Sequence, residues 1–447
     1  MAYEELKSEV QAALDSGDTL AIENLLASIK PPDLAELLQD EPAAESLTLL
    51  THLNIDDRAE VFGHLPMGVQ LELATEMTEE GLSQLLTRMV SDERADLFNL
   101  LPDERQDEVL RRMVRKERED LRRLASYPDG TAGALMTSEY ASVPVTDTVA
   151  QALERIRKTA PDAETIYQIF VLDNDHRLVG TLSLRELIIS RPAQLISDRM
   201  TTEVITAPPD ESQEEVARLI SRYDLLALPV VDEQSRLVGI ITYDDAMDVA
   251  EAEATEDILK GGSISDLGGS LRQIKLFTLY RKRIVWLLLL VFANIFTAAG
   301  IAIYEDTIAK YAVLVFFMPL LIGSAGNAGS QASTLMVRGL GTGDVKMSDW
   351  GRLFAREILV ALGLGLTMAL AVSVLGQARG GTDIAIIVAL SMVAVVMLGS
   401  LLGLSLPFLL KRLNLDPATA SAPLVATIAD AAGILVYFAI ATSVLGL

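Results

Sequence analysis

The amino-acid sequence predicts a multidomain membrane protein in which acidic helical and α/β domains precede an all-α domain of five membrane-spanning helices. The 447-residue chain has a formal net charge of −25, yet half of its residues are hydrophobic. These two properties are segregated along the chain. Residues 1–260 carry 53 acidic and 24 basic side chains, whereas residues 261–447 carry 9 acidic and 13 basic ones. The sequence therefore indicates a soluble acidic part joined to an apolar part.

Residues 1–130 are predicted to form an all-helical domain built from a repeat. The segments "DDRAEVFGHLPMGVQLELATEM" (56–77) and "DERADLFNLLPDERQDEVLRRM" (92–113) align at a spacing of 36 residues. They share an Arg-Ala-acid triplet, a Phe, a Leu-Pro pair and a closing Met, and both halves have amphipathic helical spacing. A period of this length is typical of a helical solenoid. The acidic side chains of this domain either form a solvated face or contribute to a cation site.

A second, mixed repeat follows and predicts two α/β units, residues 131–199 and 200–248. "ALMTSEYASVPVTDTVAQALERI" (134–156) is echoed by "DRMTTEVITAPPDESQEEVARLI" (198–220), and "HRLVGTLSLRELI" (176–188) by "SRLVGIITYDDAM" (235–247). Each unit reads as an extended Met-Thr segment, a helix, two strands and a second helix. The pattern resembles a tandem pair of CBS domains. That resemblance implies a regulatory module of the kind that commonly binds adenine nucleotides or ions.

Residues 249–280 are predicted to connect the paired units to the membrane. Acidic residues recur at helical spacing from the end of the second unit into this segment: Asp244, Asp245, Asp248, Glu251, Glu253, Glu256 and Asp257. Pairs such as Asp244 and Asp248 are four residues apart, a spacing at which like charges weaken a helix. A divalent cation between them would reverse that penalty. An ordinary acidic linker helix is the alternative interpretation.

Residues 281–447 contain five apolar runs of the length needed to cross a bilayer. The runs cover approximately residues 284–303, 309–328, 353–376, 384–410 and 418–445. Basic residues lie before the first run, between the second and third, and between the fourth and fifth. The positive-inside rule therefore predicts a cytoplasmic N-terminus and an external C-terminus in the cell membrane. Within the second run, a stretch rich in Gly, Ala and Ser indicates close helix packing or irregular backbone lining a cavity.

Three acidic residues fall in or near these runs. Asp430 lies about twelve residues inside the fifth run, where a charge costs roughly 2.5–3.5 kcal/mol, and no basic residue lies mid-span to pair with it. We interpret it as a cation site on an aqueous path, with the small Ala426 one turn away. A buried salt bridge and a protonated, hydrogen-bonded acid are the alternatives. Glu357 is a pathway residue or an interfacial acid, and Asp416, before Pro417, is an accessory site or a cap for the fifth span.

Several classes of function are disfavoured by what the sequence contains. The chain has no cysteine, which excludes disulfides and thiolate metal sites. Its acidity disfavours nucleic acid as a partner and favours cations. The N-terminus lacks the pattern of a cleavable signal. A phosphate-binding G-x-x-x-x-G-K-[ST] motif is not found, so we expect passive transport and no enzymatic activity.

Taken together, the order of these parts resembles the MgtE family of magnesium channels and transporters. The most specific matches are "PLLIGSAGNAGSQASTLMVRGL" (319–340) and "SAPLVATIAD" (421–430). The resemblance implies a homodimer with one pore, Mg²⁺ as the ion, and a connecting helix whose closed position is held by internal Mg²⁺. It implies pore residues Asp430, Ala426 and Asn327. It implies the following sensor acids: Glu60, Asp92, Asp96, Glu214, Asp224, Asp245, Asp248, Glu253, Glu256 and Asp257.

The resemblance also leaves questions open. Arg185 and Glu186 occupy a nucleotide position of the CBS pair, but Leu225 supplies no aromatic ring for an adenine, so ATP is an open expectation. Ser330 stands where relatives often have a second amide. A transporter of Co²⁺ or Mn²⁺ is the first alternative function, since one pore acid does not select a metal. A membrane-anchored CBS sensor or scaffold is the remote alternative.

Overall fold

The computed structural model describes residues 7–10, 12, 18–265, 274 and 276–446, except for the side chain of Asp162. The chain divides into two compact units, Met1–Glu251 and Ala252–Leu447. Residues 266–273 and 275 of the predicted connecting segment lie outside the described residues.

Residues 18–130 are all-helical, as the sequence predicts. The helices are α1 Thr19–Leu26, α2 Pro31–Leu38, α3 Ala43–Thr51, α4 Ile55–Gly63, α5 Met67–Glu76, α6 Glu79–Arg88, α7 Ser91–Leu100, α8 Asp103–Arg112 and α9 Arg115–Leu124. From α2 onward, each helix packs against the helix two positions further along the chain, which is the arrangement of a solenoid. Helix capping sets several of the starts. Asn54 accepts hydrogen bonds from the backbone N–H groups of Asp56 and Asp57, and Thr78 accepts one from Gly81.

The 36-residue repeat is confirmed in three dimensions. Phe62 and Phe98, which are equivalent in the two copies, are both buried in the same core. Gln70 donates a side-chain hydrogen bond to the carbonyl of Leu65, and its equivalent Gln106 donates one to the carbonyl of Leu101. These bonds satisfy carbonyls at the Leu-Pro corners, where proline cannot donate a backbone N–H. The same glutamine hydrogen bond therefore stabilises the Leu-Pro corner in both copies of the repeat.

Residues 131–251 form the predicted α/β pair. Its elements are α10 Ala132–Leu135, β1 Tyr140–Pro144, α11 Val149–Thr159, β2 Thr165–Leu172, β3 Leu178–Ser183, α12 Leu184–Ile189, α13 Gln213–Tyr223, β4 Ala227–Val231, β5 Leu237–Thr242 and the start of α14 Tyr243–Gly261. Strand β2 pairs in parallel with β1 and antiparallel with β3, and β4 pairs antiparallel with β5.

The Met-Thr openings cross between the two repeats, which the sequence did not reveal. Thr137 of the first copy pairs with Ile240 in β5 of the second, and Thr201 of the second pairs with Thr181 in β3 of the first. The glycines of the two "RLVG" segments make room for this exchange. A Cβ on Gly239 would lie 2.6 Å from the sulfur of Met136, and one on Gly180 would lie 2.7 Å from that of Met200. The two copies therefore form one interlocked module.

The second unit contains the membrane helices. They are α15 Leu276–Ile303, α17 Val313–Gly341, α18 Trp350–Arg412 and α19 Ala422–Leu445, with the short helix α16 Glu305–Lys310 between the first two. Each of the four long ones is long and apolar enough to cross a membrane. Helix α18 contains two spans, because the chain reverses at Gly381, whose φ is 77°. Gly376 and Gly365 then pack against Ala385 and Val393 in antiparallel order. Five spans are therefore present in the described residues, as predicted.

The structure corrects two sequence-based expectations in this unit. The small-residue stretch of the second span is one regular helix to Gly341, so the alternative of irregular backbone is wrong there. Its small residues serve helix contact instead. A Cβ on Gly329 would lie 2.8 Å from the carbonyl oxygen of Gly399, and on the facing helix α18 a Cβ on Gly403 or Gly399 would overlap the carbonyl of Gly329 or Ala325. Asp416 does not cap the fifth span. It caps the turn Pro417–Thr419, and Ser421 caps α19 by accepting the backbone N–H of Leu424.

Candidate metal sites

The carboxylate of Asp430 lies between α19 and α17 without a partner of its own. It is half-buried, and no hydrogen bond or ion pair joins it to another described residue. A Cβ placed on Gly326 would lie 3.5 Å from its Oδ1 and 3.2 Å from the Cβ of Ala426. Asn327, the next residue of α17, is exposed. A single carboxylate beside Gly326 and Ala426 therefore has no described partner, and Mg²⁺ is typically held by one or two carboxylates.

Hydroxyl groups hold α17 against the start of α19 and so position Asp430. Ser333 donates a 2.8 Å hydrogen bond to the carbonyl of Ala420, and Ser330 donates one of 3.2 Å to that of Ala422. Ala420 precedes α19 and Ala422 is its first residue, so both hydrogen bonds attach α17 to the beginning of α19. Ser330 thus has a structural contact in this chain.

Glu357 differs from Asp430 because its carboxylate is already hydrogen-bonded. Ser400, in the second half of α18, donates a hydrogen bond to its Oε1. This hydrogen bond joins the two spans of α18 to each other. No described contact connects Glu357 with Asp430.

A second group of carboxylates lies within the first unit and is much more crowded. It comprises Asp92, Glu93 and Asp96 of α7, Glu164 before β2, and Asp245 at the start of α14, and we name it the Asp245 cluster. Burial, Asp129 and Asp245 raise the pKa of Asp96 to about 6. Burial and the charge of Asp245 raise the pKa of Glu93 to about 7. They likewise raise the pKa of Glu164 to about 7 and that of Asp92 well above its usual value. Asp245 is thus the charge that the other four acids share.

The position of Asp245 follows from its strand and helix. The hydroxyl and the backbone N–H of Thr242, the last residue of β5, both donate to its Oδ2 at the first turn of α14. Burial nevertheless raises its pKa. On α4, Gly63 makes room for the Glu93 carboxylate, which a Cβ at that position would overlap. Packing of α7 against these elements therefore builds the cluster from residues far apart in sequence.

Among the described residues, no basic side chain forms an ion pair with a member of the Asp245 cluster. Arg94, on the same helix, is buried and lies 3.8 Å from Asp120 and from Glu139 instead. One carboxylate oxygen of Asp92, Oδ1, is buried without a hydrogen-bond partner. An unpaired buried carboxylate oxygen is costly, and a cation or its bound water would satisfy it. Within the described residues no three His, Asp or Glu side chains converge as a ready ligand set, so the cluster is not a preformed cage.

Three predicted sensor acids lie elsewhere on the surface of the first unit. Glu60 and Glu214 are exposed on α4 and α13, and no described contact brings them to the Asp245 cluster. Asp224 is exposed and ends α13 in the left-handed conformation, with φ of 52°, which Asp tolerates better than most residues. The left-handed backbone at this position is therefore enough to explain why an Asp is found there.

Helix α14 carries the remaining acids, and like charges do face each other along it. Burial and Asp244 raise the pKa of Asp248, while burial, Asp416 and Glu253 raise that of Asp257. The chain supplies one cation here. Lys260 Nζ lies 2.5 Å from Glu256 and 2.5 Å from Asp416, and Ser263 exchanges a hydrogen bond with Ser421, the cap of α19. The end of α14 is therefore tied to the start of the helix that carries Asp430.

Sequence reasoning missed Glu93, Glu164 and Lys260. Glu93 lies beside Asp92 in the repeat, so its acidic character was visible, but its burial was not. Glu164 lies in a short connection before β2, where no periodicity marks it. Of the nucleotide candidates, Arg185 is exposed, whereas Glu186 accepts hydrogen bonds from Ser183 in a capping box at the start of α12.

Comparisons with known proteins match segments of the helical domain, the α/β pair and the membrane domain. The profile of a family described as MgtE, divalent cation transporter, matches residues 318–440; that of the MgtE intracellular N domain matches 29–130; and that of the CBS domain matches 132–191 and 196–252. The chain is 42% identical to the magnesium transporter MgtE of Thermus thermophilus over 318 residues, which is 71% of each chain. It is 36% identical to that of Bacillus subtilis over 322 residues, 72% of this chain and 71% of the relative.

A solved structure is also similar to the first part of the chain. The cytosolic domain of the Mg²⁺ channel MgtE in complex with ATP is 38% identical, with a TM-score of 0.52, and the match covers 54% of this chain and 99% of that one.

Proposed function

Because this chain belongs to the MgtE family of divalent cation transporters, we propose that it carries Mg²⁺ passively across the cell membrane and closes when internal Mg²⁺ binds its acidic domains. The observation that carries the transport proposal is the unpartnered carboxylate of Asp430 beside Gly326 and Ala426 in a membrane helix. A charge at that depth is costly unless an ion or water meets it.

The pore proposal follows from the chemistry of Mg²⁺. This ion loses water reluctantly and is usually held by one or two carboxylates while it keeps several waters. One Asp430 from each chain of a homodimer, facing across a two-fold axis, would supply two carboxylates to a hydrated ion. Asn327 is exposed next to Gly326, and we propose that its amide forms hydrogen bonds with the water of that ion.

The gating proposal rests on the Asp245 cluster. Without a cation, its buried carboxylates repel one another, and the arrangement of α7, β2 and α14 that brings them together is destabilised. Binding of Mg²⁺ stabilises that arrangement, so internal Mg²⁺ shifts the population toward it. The end of α14 is bonded to Asp416 and Ser421 before α19, which offers a mechanical route from the sensor helix to the pore helix. We propose that the compact state is the closed one.

The remaining parts of the proposal concern orientation, energy and ligands. We place the N-terminus and the acidic domains in the cytoplasm. An inside-negative membrane potential drives Mg²⁺ inward, toward these domains, at roughly 2.3 kcal/mol per charge per 100 mV. ATP bound in a related cytosolic domain favours a nucleotide in this CBS pair as well. We place Arg185 at that site. Glu186 has a structural role in its capping box, so its carboxylate is the weaker of the two candidates.

Ion flux through the reconstituted full chain tests both halves of the proposal. Proteoliposomes are loaded with a Mg²⁺ indicator, and Mg²⁺ is varied separately on each side. We expect saturable uptake that high Mg²⁺ on the side of the acidic domains suppresses. The same assay with Co²⁺ and Mn²⁺ tests the alternative substrates, and the absence of any metal flux would favour a membrane-anchored sensor.

A further inference from the structure

A cleft of about 440 Å³ lies in the membrane domain, away from Asp430. Its walls come from the second half of α18 and the start of α19, and they are apolar: Leu402, Leu406, Phe408, Leu409, Val425 and Ile428. Leu409 and Ile428 are 52% and 39% exposed, so the cleft opens to the surroundings of the membrane domain. Its size and lining suit a hydrocarbon chain.

One end of the same cleft is polar and cationic. Arg412, the last residue of α18, lines it together with Trp350 and Ser405. In the described part of the chain, no carboxylate lies within 4.0 Å of the Arg412 guanidinium. Trp350 is 42% exposed at the start of α18, and tryptophan favours the boundary between headgroups and hydrocarbon. Lys411 precedes Arg412 in the sequence, and the residues that line the cleft include no carboxylate, so this end carries a positive charge.

We propose that this cleft binds an anionic phospholipid, with its phosphate on Arg412 and an acyl chain between α18 and α19. An anionic phospholipid is favoured because its phosphate complements the cationic end of the cleft and its acyl chain complements the apolar wall. Basic pockets between membrane helices on the cytoplasmic side characteristically bind anionic headgroups. A second copy of the chain would instead bury Arg412 against an apolar wall, at a large desolvation cost.

The site lies behind the helix that carries Asp430, so its occupancy has a mechanical consequence. Val425 is buried and lines the cleft on one side, while on the other it lies against Gly329 of α17, where a Cβ would be 2.8 Å from its Cγ1. Ile428, two residues before Asp430, lines the cleft as well. A lipid chain here supports α19 from the face opposite its contact with α17.

Lipid retention measured by native mass spectrometry tests the proposal without relying on transport. The full chain is purified in detergent and is then equilibrated with equal amounts of phosphatidylglycerol and phosphatidylcholine that have the same acyl chains. We expect phosphatidylglycerol to be retained about fivefold over phosphatidylcholine. Arg412→Gln should remove that preference, and Arg356→Gln, which changes an exposed basic residue outside the cleft, should keep it. Equal retention of the two lipids by the unsubstituted chain, or an unchanged preference in Arg412→Gln, overturns the proposal.

Cross-linking distinguishes a lipid from a second copy of the chain. The sequence has no cysteine, so a single Ile428→Cys substitution gives an unambiguous thiol inside the cleft. We expect no intermolecular disulfide on oxidation in phosphatidylglycerol bilayers, together with slower alkylation than in phosphatidylcholine bilayers. Efficient cross-linking between two copies would show that protein fills the cleft and would overturn the proposal.

Discussion

The two carboxylate sites differ in the number of acids they contain. Asp430 is a lone acid among small residues, whereas the Asp245 cluster contains five acids, and burial together with the charge of Asp245 raises the pKa of the other four. In both places a carboxylate lacks a fixed partner: Asp430 has no described hydrogen bond, and Asp92 Oδ1 is buried and unpaired. The physical difference is therefore charge density and burial.

This difference teaches how one ion can have two effects in one chain. A permeating ion must bind well enough to enter and weakly enough to leave, which suits a single carboxylate beside open space. A sensor must change structure when its ion arrives, which suits several acids whose repulsion the ion relieves. We therefore expect substitutions at Asp430 to change flux, and substitutions in the Asp245 cluster to change its control.

The largest effect is expected from Asp430→Asn, which keeps the size of the side chain and removes its charge. Mg²⁺ flux in proteoliposomes should fall at least about a hundredfold, equivalent to the loss of about 2.8 kcal/mol of ion stabilisation. Glu357→Gln is the matched control, because its carboxylate already accepts a hydrogen bond from Ser400, and its flux should change far less. Equal losses in the two variants would place the pore function on both acids.

A smaller but distinct effect is expected from Asp245→Asn, which removes the charge common to the cluster. Flux at low internal Mg²⁺ should not rise, because the lost charge also relieves repulsion that opposes the closed state, while the internal Mg²⁺ concentration that halves it should rise about tenfold, within the usual range of coupling energies. Glu60→Gln serves as the control, since Glu60 is exposed and outside the cluster. A larger shift from Glu60→Gln than from Asp245→Asn would contradict the assignment of the sensor.

Filling the space beside the lone carboxylate should reduce flux without altering charge. In Gly326→Ala the new Cβ would be 3.2 Å from the Cβ of Ala426 and 3.5 Å from Asp430 Oδ1. Uptake should fall several-fold with little change in its dependence on internal Mg²⁺. Gly323→Ala in the same helix adds a Cβ that meets nothing within 4 Å and should retain normal uptake. If the two variants behave alike, helix packing rather than ion space explains the loss.

The Asp245 cluster should also make the free energy of unfolding depend on pH. The folded protein holds protons on Glu93 and Glu164 with pKa values of about 7, above the usual 4.5, so it binds more protons than the unfolded chain between these values. Stability contributed by these groups is therefore present at low pH and lost as pH rises toward 7. In chelator, the melting temperature of the full chain should be at least about 4 °C higher near pH 5.5 than near pH 8.

Two additions make the pH experiment specific to the Asp245 cluster. Excess Mg²⁺ should reduce the difference in melting temperature between pH 5.5 and pH 8, because it stabilises the protein mainly at pH 8, where the carboxylates are charged. Asp245→Asn should narrow it in chelator as well, because the shared repulsion is gone. A melting temperature that rises with pH in chelator would refute the expected sign.

The smallest effect is expected at the end of α14, where Lys260 forms ion pairs with acidic side chains. Lys260→Gln removes the ion pairs with Glu256 and Asp416, which are partly exposed and therefore worth about 0–1 kcal/mol. We expect the internal Mg²⁺ needed for half-closure to rise by at most about fivefold, with maximal flux unchanged. Lys346→Gln, on an exposed loop residue, is the control. A shift as large as that of Asp245→Asn would make Lys260 part of the sensor itself.

Much of this architecture could be predicted because its signals are local. The 36-residue repeat, the paired Met-Thr units and the five apolar runs are all patterns of neighbouring residues, and each corresponds to described helices or strands. Asp430 was predictable because one charge in an apolar run is conspicuous. Glu93 and Glu164 were not, since nothing near them in sequence shows that α7, β2 and α14 meet.

The sequence by itself determined the order of the domains, the spans and the acidic character of the soluble part, because composition and periodicity depend only on residues close along the chain. Only the tertiary structure decided which acids share a site. It gathers Asp92, Glu93, Asp96, Glu164 and Asp245, leaves Glu60, Glu214 and Asp224 exposed, and gives Glu256 a lysine. The physical reason is that burial and repulsion depend on distances through space, which long-range packing alone sets.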